Sequence, residues 1–127
     1  MATILVTDDS IFMRRKISYQ LVRNGYQPEE ASSGEEACAK YSKLRPALVI
    51  MNVVMPGMDG LTATRAIRSS DPNARIIVMS ALKGDRVLRD AIRAGAMAFL
   101  SKPVEPSLLL QLVRSLLPQN GAFVKDP

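Results

Sequence analysis

The chain has 127 residues, with 17 Lys and Arg against 12 Asp and Glu, a formal net charge of +5. Hydrophobic residues make up 47% and charged residues 23%, the balance of one globular domain able to bury a core without covalent staples. A single cysteine, Cys38, excludes an internal disulfide, and the absence of histidine excludes Ser-His-Asp and Cys-His catalysis and imidazole metal sites. No apolar run approaches the ~18 residues of a membrane span, and the N-terminal residues lack the charged and apolar regions of a signal peptide, so a reducing cytoplasm is the expected compartment.

In chain order, Ile4-Leu5-Val6 is a short apolar run that ends in Asp8-Asp9-Ser10. Met13, Ile17 and Leu21 then recur every four residues, the spacing of one helix face, up to a stop at Asn24-Gly25. Gln27 to Ser32 is the weakest strand, expected because the alternation of strands and helices demands one there. Ala37, Tyr41 and Leu44 mark a second helix, stopped at Arg45-Pro46, and Ala47 to Met51 is a strongly apolar strand that runs into Asn52. Ile76 to Met79 is the next such strand and runs into Ser80; Leu88, Ala91 and Ile92 mark a helix that ends at Ala94-Gly95. Ala96 to Leu100 leads to Lys102, and Pro106 suits the first turn of a last helix carrying Leu108 to Leu117. Residues 1–117 therefore read as one domain and 118–127 as a C-terminal tail of coil.

Strands that are apolar on both faces belong to a parallel sheet covered by helices on both sides. The expected fold is α/β: five βα units wound into a doubly wound, five-stranded parallel sheet, a flavodoxin-like three-layer sandwich. In such sheets ligands sit beyond the carboxyl ends of the strands. The residues that end the apolar runs are Asp8 and Asp9, Asn52, Ser80 and Lys102. Singly each is a cap; gathered on one rim they are a site. Paired carboxylates without histidine favour a hard cation, Mg²⁺ before Ca²⁺, and a lysine with a hydroxyl suits phosphoryl oxygens. Position 52, between the two groups, is where a nucleophile is expected.

The chain from about Ala2 to Leu117 resembles the receiver domain of bacterial two-component response regulators, the CheY-like family. The matching segments are Val6-Thr7-Asp8-Asp9-Ser10, Val49 to Gly60 with its Met-Pro-Gly-Met-Asp-Gly run, Met79-Ser80-Ala81 and Ser101-Lys102-Pro103. The resemblance implies a switch that takes a phosphoryl group from a sensor histidine kinase, or from a phosphotransfer protein, at position 52. It implies Mg²⁺ held by Asp9, by Asp8 directly or through water, by the side chain at 52 and by the backbone carbonyl of Val54. It also implies that Lys102 pairs with the phosphoryl oxygens, that the bond to Pro103 is cis, and that Ser80 moves toward the phosphoryl group. Phe99, at the switch-aromatic position, then turns inward, and the output surface spans about Asp85 to Leu117.

One residue departs from the family: position 52 holds Asn where the family has Asp. A neutral, delocalised amide is no carboxylate nucleophile, so no stable acyl phosphate is expected and Mg²⁺ binding should be weakened by one lost anionic ligand. Asn52 reads as an engineered, locked-off replacement in an otherwise working receiver, because Asp8, Asp9, Ser80 and Lys102 are all kept. The alternative is a natural pseudo-receiver that works without phosphorylation as a protein-interaction module.

An enzyme on the same architecture is not expected, since no Gly-rich phosphate loop or nucleophile elbow is present. The basic residues are dispersed and not interleaved with aromatics, which argues against direct nucleic-acid binding. Arg86, Arg89 and Arg93 fall on one side of a helix and would suit an acidic partner. The last helix holds seven Leu and Val between Leu108 and Leu117, more than one stripe needs. About half should cover the sheet, leaving the rest to form a homodimer face or to lie under the tail.

Overall fold

A computed structural model describes residues 1–117; the tail 118–127 lies outside the described residues. Five strands alternate with five helices: β1 Thr3–Thr7, α1 Ile11–Arg23, β2 Gln27–Ala31, α2 Gly34–Leu44, β3 Leu48–Asn52, α3 Gly60–Ser70, β4 Ile76–Ser80, α4 Asp85–Ala94, β5 Ala98–Ser101 and α5 Pro106–Leu116. All neighbouring strands pair in parallel, in the order β2-β1-β3-β4-β5.

β3 and β4 are buried along their whole length, and successive side chains go to opposite faces. Ile4, Val6, Leu48, Ile50, Ile77 and Met79 pack toward Ile17 and Leu21 of α1 and Leu109 and Val113 of α5. Leu5, Val49, Met51, Ile76 and Val78 pack toward Tyr41 of α2, Ala63 and Ile67 of α3 and Ala91 of α4. That is the expected three-layer sandwich. β2 is an edge strand of sequence QPEEA. Its Pro28 and two glutamates suit an edge and explain its faint apolar signal.

The helices start and stop where their end residues dictate. Ser10, Ser33 and Asp59 each accept a hydrogen bond at their helix N-terminus, from the backbone amides of Met13, Glu36 and Thr62. Pro106 occupies the first turn of α5 behind a Glu105 cap. Gly95 closes α4 with φ of 107°, a left-handed conformation for which glycine is suited. At α2, by contrast, Arg45 takes the left-handed conformation at φ of 48° before Pro46.

Of the apolar residues on α5 and at its C-cap, Leu109, Leu110, Val113 and Leu117 are buried and Leu112 and Leu116 pack partly on the same core. Leu108 alone among them stands exposed. Six of these seven apolar residues therefore pack on the core, more than the expected half.

Candidate functional site

Ending all strands in one direction gathers β1, β3, β4 and β5 termini at one edge, with Thr7 paired to Met51, Asn52 to Met79 and Ser80 to Ser101. Asp8 follows β1 and is 1% exposed, whereas Asp9 is exposed. Both oxygens of the Asp8 carboxylate are engaged. Oδ1 accepts from the Ser10 amide at 3.0 Å, and Oδ2 accepts from Lys102 Nζ at 2.8 Å. A buried charge is tolerable only when paired and hydrogen-bonded in this way. The Lys102–Pro103 peptide is cis, and the Lys102 amide donates to the Ser80 carbonyl at 2.8 Å.

Asn52 ends β3 and is 5% exposed. Its Nδ2 donates to the Val54 carbonyl at 2.9 Å and faces Asp8 Oδ1 and Asp9 Oδ1, each at 3.4 Å. All three neighbours are acceptors, which fixes the amide orientation with nitrogen rather than oxygen toward them. The loop that presents Val54 is tied back by the Val53 amide to Met79 and by the Gly60 amide to the Val53 carbonyl, at 2.9 and 2.8 Å. Gly60 is required there by contact. A Cβ on it would lie 1.9 Å from the Asn52 carbonyl oxygen.

Ser80 is buried at the end of β4, and its Oγ accepts from the Leu82 amide at 2.9 Å. Phe99 is half-buried on β5. It lines a hollow of about 140 Å³ with Leu88, Ala91, Ile92 and Met97. Asp8, Asp9, Asn52, Val54 and Lys102 therefore meet in one pocket, Ser80 sits at the adjacent strand end, and Phe99 lies two strand residues before the edge.

Arg14 was not among the residues expected at the site. From the first turn of α1 its Nη1 donates to the Asp8 carbonyl at 2.7 Å, while its Nε pairs with Glu30 Oε1 at 3.1 Å. Its place one helical turn after the Ser10 cap was the available signal. Arg86, Arg89 and Arg93 are all exposed on α4. Arg86 borders a hollow with Val53, Leu61 and Lys83, and Arg93 borders another with Arg65 and Arg68; Arg89 borders neither.

Residues 4–114 match the family model of the response regulator receiver domain. The chain belongs to that family. This receiver is 39% identical to the chemotaxis protein CheY of Thermotoga maritima over 114 residues, 89% of this chain and 95% of that protein. It is 42% identical to the chemotaxis protein CheY of Bacillus subtilis over 115 residues, covering 90% and 96%. A solved structure of Vibrio cholerae chemotaxis protein CheY4 superposes with a TM-score of 0.87 at 33% identity, over 92% of this receiver and 99% of that chain. The Borrelia burgdorferi CheY in a CheX-CheY-BeF₃-Mg²⁺ complex superposes at 0.86 with 33% identity, covering 98% and 90%. Receiver domains are signalling modules that work with histidine kinases and output proteins, and as a family they hold Mg²⁺ at their acidic pocket.

Tested against this pocket, Mg²⁺ does not fit the arrangement as it stands. The oxygens that would ligate it, from Asp8, Asp9 and Val54, are those on which the Asn52 nitrogen converges. Among the described residues no three carboxylate, thiolate or imidazole side chains gather to hold a metal. No helix of the described residues is long and apolar enough to cross a membrane.

Proposed function

We propose that this receiver is a cytoplasmic two-component switch domain whose position 52 accepts no phosphoryl group, so that it offers its partners the unphosphorylated surface. The observation that carries this reading is the Asn52 amide itself, seated among Asp8, Asp9 and Val54 where a phosphoacceptor carboxylate would stand. An amide oxygen or nitrogen lacks the charge and basicity with which a carboxylate attacks phosphorus.

The surrounding residues keep the parts that phosphoryl binding needs. Lys102 has its ammonium on Asp8 Oδ2 rather than on a phosphoryl oxygen, and it holds that buried carboxylate in place. The Ser80 hydroxyl proton is free to be donated while its oxygen accepts from Leu82. Without a phosphoryl group at 52 nothing draws Ser80 inward, so Phe99 has no vacated space to enter. Retention of this set around an inert amide is the signature of a working receiver held off.

The surface then presented to an output protein spans about residues 85–117, in which Ile92, Met97 and Leu108 are 62, 50 and 46% exposed. Constitutive docking of a partner on that region is the second reading, a natural pseudo-receiver acting by contact alone. A histidine kinase or phosphotransfer protein would still meet the pocket edge without transferring its group.

Intact-protein mass after incubation with acetyl phosphate and Mg²⁺ tests the proposal, with Asn52→Asp in parallel. Only the Asp variant should gain the mass of one phosphoryl group. Modification of the chain with Asn52 would overturn the reading, and failure of both would shift it to the contact module.

A further inference from the structure

We propose that the Asn52 side chain is the pocket's built-in substitute for a divalent cation, so that this receiver keeps its acidic pocket assembled without metal and excludes Mg²⁺ by occupancy as well as by lost charge. This goes beyond a pocket merely short of one anionic ligand. The inference uses family membership only to identify the pocket, and it holds or fails independently of whether position 52 can be phosphorylated.

Three acceptors converge on one atom. Asn52 Nδ2 lies 2.9 Å from the Val54 carbonyl and 3.4 Å from both Asp8 Oδ1 and Asp9 Oδ1. The two N–H groups of the amide satisfy them together: one is directed to Val54, and the other is shared between the two carboxylates. A Mg²⁺ ion bonds oxygen at ~2.0–2.1 Å in near-octahedral geometry and cannot share that volume with a nitrogen contacting the same three oxygens. Both oxygens of Asp8 are engaged, and the amide takes the second lone-pair site of Oδ1. Oδ1 already accepts from the Ser10 amide at 3.0 Å and Oδ2 from Lys102 at 2.8 Å.

Electrostatics point the same way. Two carboxylates beside each other repel, and a cation is the ordinary remedy. Here the Lys102 ammonium and the positive end of the Asn52 amide dipole share that task, one on each oxygen of Asp8. The side chain cannot swing aside freely, because it is 5% exposed at the end of a fully buried strand. Cation entry therefore requires breaking the amide's contacts.

Lost charge and occupancy make opposite predictions for a smaller, neutral side chain. If Asn52 weakens Mg²⁺ binding only by lacking a charge, then Asn52→Ala, which also lacks any oxygen ligand, binds Mg²⁺ no better than the parent chain. If the amide fills the cation position, Asn52→Ala frees it and binds Mg²⁺ more tightly. The expected gain is about fivefold or more, the worth of the hydrogen bonds no longer to be displaced.

The test is titration of the full chain with MgCl₂ at constant ionic strength, following the backbone amide resonances of Asp9 and Val54. Paramagnetic broadening of the same resonances by Mn²⁺ provides a second readout of site occupancy. Asn52→Ser accompanies Asn52→Ala, so that loss of folding in one variant leaves the other to decide, and Asn52→Asp marks the charge effect. The account expects Ala and Ser variants both to bind Mg²⁺ more tightly than the parent, with Asp tightest. Ala and Ser variants that bind no tighter than the parent, or a parent that binds as tightly as the Asp variant, would overturn it.

Discussion

Replacing Asn52 by Asp should destabilise the metal-free protein at neutral pH, and Mg²⁺ should reverse the loss. The substitution puts a charged oxygen at the position where Nδ2 now donates, 2.9 Å from the Val54 carbonyl and 3.4 Å from carboxylate oxygens of Asp8 and Asp9. Like charges about 4 Å apart repel by roughly 1 kcal/mol in water and about 4 kcal/mol at an effective dielectric of 20. Asp9 is exposed and falls near the first limit; Asp8, 1% exposed, falls near the second, less the relief given by Lys102 at 2.8 Å. The sum is on the order of 3 kcal/mol. Protonation sets a ceiling, because at pH 7 an acid of ordinary pKa takes up a proton for about 4 kcal/mol. Urea denaturation followed by circular dichroism, in chelator and again in excess MgCl₂, gives the magnitude. For a domain of this size a loss of 3 kcal/mol is roughly 10 °C in thermal midpoint. The neighbouring carboxylates raise the proton affinity of the introduced carboxyl, so it takes up its proton earlier than in the unfolded chain and the deficit should shrink as pH is lowered toward 4. Equal stabilities of the two proteins in chelator at pH 7 would refute this reasoning.

Other consequences follow from single contacts. Lys102→Met leaves the buried Asp8 carboxylate without its ion pair and should cost about 3 kcal/mol in denaturant unfolding at pH 7. Gly60→Ala drives a methyl to within 1.9 Å of the Asn52 carbonyl oxygen and should cost more than ~3 kcal/mol, whereas at Gly25, with φ of 87° and open space around it, Ala should cost only about 1 kcal/mol. Burial, then the hydrogen bond to Asp71, pushes the Tyr41 phenol up to about 12. Its contribution is therefore complete below the ordinary tyrosine value near 10 and is lost as pH rises through about 12. That window should appear in alkaline unfolding of the parent chain and be missing in Tyr41→Phe. The same hydrogen bond holds the Asp71 carboxyl below its ordinary range. A separate loss of stability should follow as pH falls through that depressed value, read by acid unfolding.

Most of the architecture was legible because β1, β3 and β4 are apolar on both faces, which only a doubly covered parallel sheet explains. The rule that ligands sit beyond strand ends then selected Asp8, Asp9, Asn52, Ser80 and Lys102 before any geometry was known. β2 was faint for the converse reason: on an edge, Gln27, Pro28, Glu29 and Glu30 need not be apolar. What stayed hidden depends on distances across the chain. Arg14 reaches back to the Asp8 carbonyl, and Tyr41 finds Asp71 thirty residues away. Asn52 was legible as a missing nucleophile, but not as a donor to three acceptors, because an amide's orientation is set by its neighbours in space. The surplus of leucines on α5 misled in the other direction. The polar residues Ser107, Gln111, Arg114 and Ser115 take the exposed side of the helix, so nearly all the leucines are left for the core and only Leu108 stands free among them.

The measurement that bears most directly on the central claim is a pair of amide correlation spectra, parent and Asn52→Asp, each recorded with Mg²⁺ before and after beryllofluoride. The account predicts no change in the parent. It predicts shifts in the variant at Ser80, Phe99 and along α4, showing that one amide separates this chain from a working switch. Matching shifts in the parent would contradict it, and so would a variant as unresponsive as the parent.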